Sequence, residues 1–242
     1  MLNVRNSQRS ATDPQGTFAV PVARNRTMFS RMWRRLWLKF GPQTKLISYS
    51  DYESYRRLQQ EGNERKLHLV YAREPIIVHI TRYAEHRLGR VNSVLCHGTR
   101  NGAELKWFKN ALSGHPTVLG TDISSTATQF PDTIQWDFHD MKPEWEGAWD
   151  VIYTNSWDHA FDPKRAISTW LRCLSPNGLL FLEHSHNHEP TVVNKLDPFG
   201  ATLKGLVRFV NGLAPETHHV VDVIVDVPDA KGRSVVVVGV GS

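Results

Sequence analysis

The chain has 242 residues, 40% hydrophobic and 22% charged, with eight tryptophans, enough to bury one sizeable core. Two cysteines, Cys96 and Cys173, are too few for a disulfide framework. No apolar run reaches the roughly 18–20 residues of a membrane span, and the N-terminus lacks the apolar core of a secretory signal. A reduced, soluble, cytoplasmic protein is expected. Net charge is +5, but residues 1–45 hold nine Lys/Arg against Asp13 alone, which leaves −3 for residues 46–242, so no specific nucleic-acid surface is expected on the body.

Residues 1–27 are polar, are punctuated by Pro14, Gly16 and Pro21, and read as a disordered basic tail. In "MFSRMWRRLWLKF", residues 28–40, Met28, Phe29, Met32, Trp33, Leu36, Trp37 and Phe40 recur at helical spacing, with Arg31, Arg34, Arg35 and Lys39 elsewhere on the circumference. The pattern suits a peripheral contact with an anionic membrane, and equally a helix that docks its aromatic stripe on the domain; docking is the expected use. "SDYESYRRLQQEGN" opens on Ser50 with Glu53 three residues on, a capping box, and Gly62 is placed to interrupt or end that helix. A second helix is expected from Glu74-Pro75 to Gly89, burying Ile76, Ile77, Ile80, Tyr83 and Ala84. Residues 28–90 thus form a helical extension ahead of a main domain at 91–242.

From residue 91 short apolar strands alternate with helices. Strands are expected at 93–97, 117–122, 133–136, 149–155 and 179–184, and helices at 102–112, 163–174 and 201–213. This is a doubly wound, mostly parallel α/β sheet of Rossmann-like type. "HHVVDVIVDV" and "RSVVVVGV" are joined by "PDAKG", too short for a crossover, so these strands pair antiparallel at the C-terminus and complete a seven-stranded sheet.

Between the first strand and its helix lies "CHGTRNGAE", where such folds bind ligands. Gly98 allows a tight turn and Gly102 a close approach at the helix start. The dinucleotide pattern G-x-G-x-x-G fails at Arg100 and Ala103, which disfavours an NAD-dependent oxidoreductase. The next strand ends in Asp122 followed by Ile123, and a carboxylate there can accept both hydroxyls of a ribose. The third ends in "QWDFHD", setting Asp137 to accept from an adenine amine beside Phe138. Each aspartate alone also fits a helix cap or a solvated loop acid.

Residues 93–184 resemble the core of the class I S-adenosylmethionine-dependent methyltransferases. "SVLCHGTRNGAE" resembles their glycine-rich first motif, "VLGTDIS" the second, "TIQWDFHD" the third, "WDVIYTNSWDHAFDP" the fourth, and "CLSPNGLLFLEHS" the turn and strand that follow. The resemblance implies S-adenosyl-L-methionine as cofactor, held by Gly98, Arg100, Asn101, Gly102, Asp122, Ile123, Asp137, Phe138 and Asn155. Cys96 and Arg100 depart from the family, which usually has an acid and a glycine at those positions. Arg100 is placed either to bind the cofactor carboxylate or to pair with Glu104.

The fourth motif reads Asn155-Ser156-Trp157-Asp158-His159, not the Asn/Asp-Pro-Pro-aromatic of enzymes that methylate base amines. A small-molecule acceptor is expected instead, methylated at oxygen: a sugar, a lipid-linked glycan or a secondary metabolite. Asn155 is expected near the sulfonium, and His159 is either the general base or a locally bonded loop histidine. His184, His186 and His188 alternate and could share a face around a metal if the strand continued. A polar loop over the pocket is the expected alternative, so no metal is assigned. The competing function is a non-catalytic module of the same fold, docking through its cationic helix.

Overall fold

The computed structural model of the chain describes residues 41–241, Pro215 and Asp226 excepted. The tail and the helix expected at 28–40 lie outside the described residues. Among the described residues no helix is long and apolar enough to cross a membrane.

The first element is β1 (Thr44–Leu46), which pairs antiparallel with β7 (Phe199–Ala201) and was not expected. Helices α1 (Tyr52–Arg65) and α2 (Glu74–Leu88) follow where the capping and proline signals place them. The start of α1 differs from the expectation. Asp51 is the cap, its Oδ1 accepting from the Ser54 amide at 2.7 Å, while the Ser50 hydroxyl bonds that carboxylate at 2.9 Å and the Ser54 hydroxyl at 3.3 Å, and Glu53 turns to Arg56. Two capping residues stand side by side, and the carboxylate is the stronger acceptor at the positive end of a helix. Gly62 does not end α1. A Cβ there would lie 2.6 Å from Leu196 Cδ2, so glycine lets the 190s loop rest on the helix. Helix α2 closes at Gly89, whose φ of +76° is left-handed as a terminal glycine allows.

The core alternates as expected. Strands β2 (Ser93–His97), β3 (Thr117–Asp122), β4 (Thr133–Gln135), β5 (Trp149–Thr154) and β6 (Leu174–Ser185) run parallel in the order β4-β3-β2-β5-β6. Beyond β6, β9 (Arg233–Gly239) is antiparallel, and β8 (His219–Ile224) pairs antiparallel with β9 at the edge. Strand β6 begins earlier than predicted because it pairs through Leu174 with Trp149; the expected turn at Gly178 is instead a bulge within the strand, before Leu179 pairs with Val151.

Because side chains alternate along a strand, the sheet has two apolar faces. Val94, Cys96, Val151, Tyr153 and Phe181 pack with α2 and α3 (Ala103–Ala111). Leu95, Ile152, Leu180 and Leu182 pack with α4 (Pro163–Cys173) and α5 (Leu203–Asn211). Trp170 of α4 is completely buried there, and truncating it to Ala would cost about 3–5 kcal/mol. The chain runs outward through β3 and β4 and then returns to place β5 on the other side of β2. This reversal opens a crevice at the carboxyl ends of β2 and β5.

Candidate active site

Three left-handed residues turn the chain from β2 into α3: Gly98 at φ +72°, Arg100 at +51° and Gly102 at +67°. A Cβ on Gly98 would lie 2.5 Å from the Ser156 Cβ, so both backbone and packing require glycine. Gly102 serves the turn and lines neither cavity described below; a Cβ there would sit 3.0 Å from Thr133 Oγ1. The Gly98 and Thr99 amides both donate to the Thr121 carbonyl, at 2.8 and 3.0 Å, which ties the loop to β3. Arg100 is not glycine yet holds a left-handed conformation, costing about 1–2 kcal/mol. Its amide donates to Asp122 Oδ2 at 2.9 Å.

Asp122 ends β3 almost fully buried. Its Oδ1 accepts from the Ser124 amide at 2.9 Å, and both oxygens accept from the Asn63 side-chain amide of α1 at 2.8 Å. Burial raises its pKa, and the two backbone donors oppose the rise. Asn63 Oδ1 is buried without a partner, so the Asn63 amide is bonded at one end only. Ile123 accepts through its carbonyl from Gln60 and Gln135, each at 3.1 Å. Asp137 gives one oxygen to the amide and ring of His139, at 2.9 and 2.6 Å. Asp122, Ile123, Asp137 and Phe138 line a cavity of about 50 Å³ under α1, together with Tyr55 and Gln59.

A wider cavity of about 230 Å³ continues from it, the two sharing Lys66, Gly98, Arg100, Ser156 and His159. Arg100 spans the join. Its guanidinium lies 4.9 Å over the Tyr71 ring, and its Nε is buried without a partner. No ion pair joins it to Glu104, which corrects one of its two expected roles; burial pushes the Glu104 carboxyl up to about 8. Asn101 lines the wider cavity and donates through Nδ2 to the Leu67 and Leu69 carbonyls, holding the chain after α1.

Asn155 follows β5. Its carbonyl accepts from His188 Nε2 at 3.0 Å, and its Oδ1 from the Ser156 hydroxyl at 3.1 Å. His159 ends a short 3-10 turn at Trp157–His159. Its Nδ1 lies 2.7 Å from the Leu196 carbonyl and 3.1 Å from Gln59 Oε1, two acceptors, so Nδ1 carries the proton. Nε2 is then a lone pair, 3.5 Å from Asp197 Oδ1. Burial lowers the His159 pKa and keeps the ring neutral near pH 7. Local bonding and an open nitrogen, posed as alternatives by the sequence, thus coexist.

The three alternating histidines do not share a face. Strand β6 ends at Ser185 and a 3-10 turn takes over at His186. His184 and His188 are buried against Trp157, with ring centroids 6.1 and 5.1 Å from it, while His186 is exposed.

Sequence reasoning gave no site role to Asn63, Lys66, Asp158, Asp197 or Arg233, and took Glu104 only as a possible partner of Arg100. Glu104 alone carried a signal, one polar residue on the buried side of an amphipathic helix. The others come from connecting segments or distant elements without a periodic pattern.

A family model described as "Methyltransferase domain" matches residues 95–182. No curated protein sequence matches the chain. Among solved structures, Burkholderia thailandensis 1,6-didemethyltoxoflavin-N1-methyltransferase, with bound 1,6-didemethyltoxoflavin and S-adenosylhomocysteine, is 15% identical, with 82% of this chain and 95% of that one covered at a TM-score of 0.60. The plantazolicin methyltransferase BpumL with S-adenosylhomocysteine is 12% identical, covering 80% and 92% at 0.57. A putative methyltransferase in complex with the Haloferax volcanii Trm112 activator is 16% identical, covering 80% and 100% at 0.53.

Proposed function

We propose that this chain is a class I S-adenosylmethionine-dependent methyltransferase, as the methyltransferase-domain match and the similar folds support, and that it uses the narrow cavity for adenosine and the wide one for the methionine end and a small-molecule acceptor. S-adenosyl-L-methionine, when bound, supplies a sulfonium methyl, which an acceptor lone pair attacks in line with the departing sulfur. One observation carries the reading. Gly98, Asp122 and Asp137 stand at three adjacent strand ends around one continuous cleft, and the cleft runs on to Asn155 and His159.

Asp122 holds the ribose. Its two oxygens now face one side-chain amide, and two neighbouring hydroxyls offer the same pair of donors once Asn63 withdraws. Asp137 and Phe138 take the adenine, with Ile123 lining the same pocket. Gly98, Asn101 and Gly102 shape the loop, and Arg100 meets the methionine carboxylate, for which its buried, unpartnered Nε is a ready donor.

The acceptor reacts at oxygen, as a sugar, lipid-linked glycan or secondary metabolite. The wide cavity is lined by Asn155, Asp158, Ser185, Asn187, Asn194 and Asp197, acceptor-rich walls that suit hydroxyl groups. The similar enzymes named for toxoflavin and plantazolicin support an acceptor that is not a nucleic acid. Asn155 orients the hydroxyl at the strand end. The hydroxyl loses its proton at the open face shared by Asp158, His159 and Asp197, and His159 must be neutral to act there, which its burial secures. Two buried thiols suit a reducing compartment, the cytoplasm.

S-adenosylhomocysteine release, measured with panels of hydroxylated and amine acceptors, tests this. His159→Gln should lower kcat by about 10²–10⁴-fold while cofactor affinity holds. Turnover that requires an amine and proceeds without His159 would refute the oxygen assignment.

A further inference from the structure

Asp158, His159 and Asp197 converge in the wide cavity. His159 has its Nδ1–H committed to the Leu196 carbonyl at 2.7 Å, leaving the Nε2 lone pair open. Asp197 has one oxygen held by the Asn194 amide at 2.8 Å, leaving Oδ1 3.5 Å from that lone pair. Asp158 is 5% exposed, and its Oδ1 is buried without any hydrogen-bond partner. The nearest imidazole N–H, His188 Nε2, is 3.9 Å from it and is spent on the Asn155 carbonyl. One ligand atom from each of the three residues falls within a span of 4.8 Å. Burial, with the Asp197 carboxylate adding to it, pushes the Asp158 carboxyl well above the usual carboxylate range, and its unpaired buried oxygen carries a desolvation cost that a bound cation would relieve.

We infer that Asp158, His159 and Asp197 form a binding site for one divalent cation, open towards the acceptor. Ligand atoms about 2.0–2.2 Å from a metal lie roughly 3–4.4 Å apart, so a small inward movement of the Asp197 loop closes the set. The Nδ1–H to carbonyl bond is the outer contact that fixes a metal-binding imidazole in the right tautomer. Two carboxylates and one imidazole suit Mn²⁺ or Zn²⁺ better than Ca²⁺, whose sites are built from oxygens alone. Lys66 and Arg100 face the same cavity and oppose the ion; Arg100 is drawn aside by the Leu69 carbonyl and the Tyr71 ring.

The inference rests on the methyl-transfer reading and gives the shared face its chemistry: His159 then serves the proton loss as a ligand to the ion through Nε2, in place of accepting the proton itself. The acceptor hydroxyl takes the open position on the ion, its O–H bond breaks, and the proton leaves to water. The electron pair stays on the oxygen, which then bonds to the methyl carbon as the carbon–sulfur bond breaks and S-adenosylhomocysteine leaves with the pair of that bond.

The test uses the full chain, stripped with a chelator and titrated with Mn²⁺ without cofactor, following free Mn²⁺ by electron paramagnetic resonance and Zn²⁺ by competition. One Mn²⁺ per chain is expected, displaced by Zn²⁺. Asp197→Asn, a change at a part-exposed loop residue, should weaken it at least about tenfold, and Asp158→Asn should do the same. S-adenosylmethionine affinity, measured separately, should stay unchanged in Asp197→Asn, so loss of the ion is distinct from failure of the cofactor reading. A native chain that binds no Mn²⁺ or Zn²⁺, or an Asp197→Asn chain that binds them as tightly as the native one, overturns the site.

Discussion

Replacing Glu104 with Gln should remove a pH dependence of stability that the native protein carries. Glu104 lies in the first turn of α3, 4% exposed, at the wall of the wide cavity. Burial pushes its carboxyl up to about 8; Arg100 opposes the shift, and Asp122 and Glu183 add to it. The folded-state value lies above the unfolded one, so the contribution to stability is complete below about pH 4.5 and is lost as pH rises towards 8. Each unit in that window is worth about 1.4 kcal/mol, so roughly 2.7 kcal/mol goes between pH 5.5 and 7.5. Gln keeps the shape and cannot ionise. Comparing native and Glu104→Gln proteins by urea unfolding, followed by tryptophan fluorescence at the two pH values, isolates this one group from every other. The native protein should lose about 2.7 kcal/mol relative to the variant on going to pH 7.5. A difference that stays flat would mean that water or a cation reaches the Glu104 carboxyl, and would refute its burial as the cause of the pH dependence.

The opposite limb belongs to the buried histidines. Burial lowers His188 and His97 to about 3, so their contributions are complete above pH 6.5 and are lost as pH falls; the native protein should lose about 1.4 kcal/mol relative to His188→Gln for each unit below 6.5, and an equal acid response of the two proteins would contradict this. Asp137→Ala should weaken S-adenosylmethionine binding less than Asp122→Ala, because only part of the Asp137 carboxylate is free of His139; calorimetry showing the larger loss at Asp137 would reverse the two roles.

Where the sequence was readable, periodicity and strand order made it so. Val94, Cys96, Val151 and Tyr153 fall on one face and Leu95 and Ile152 on the other because a strand alternates its side chains. The reversal of strand order then fixes which ends meet, so Gly98, Asp122 and Asp137 could be placed at one cleft before any coordinates. The cap of α1 was not readable, because Ser50 and Asp51 both satisfy the local rule and only side-chain geometry separates them. Nor were the contacts that cross the cleft. Asn63 meets Asp122 from 59 residues away, and Leu196 orients His159 across 37. Both depend on how α1 and the 190s loop settle over the sheet, and Gly62 beneath Leu196 looked like a helix end until the packing gave its reason.

The central claim, a cofactor cleft whose ribose is held by Asp122, is tested most directly by calorimetric titration of native and Asp122→Ala proteins with S-adenosylmethionine, S-adenosylhomocysteine and NAD. The account predicts one site for each of the first two and none for NAD. It also predicts a loss of about ten- to a hundredfold in Asp122→Ala, the weight of charge-assisted hydrogen bonds to two hydroxyls worth about 1.5–3 kcal/mol. Binding of NAD in preference, or a folded Asp122→Ala protein that holds S-adenosylmethionine as tightly as the native one, would contradict it.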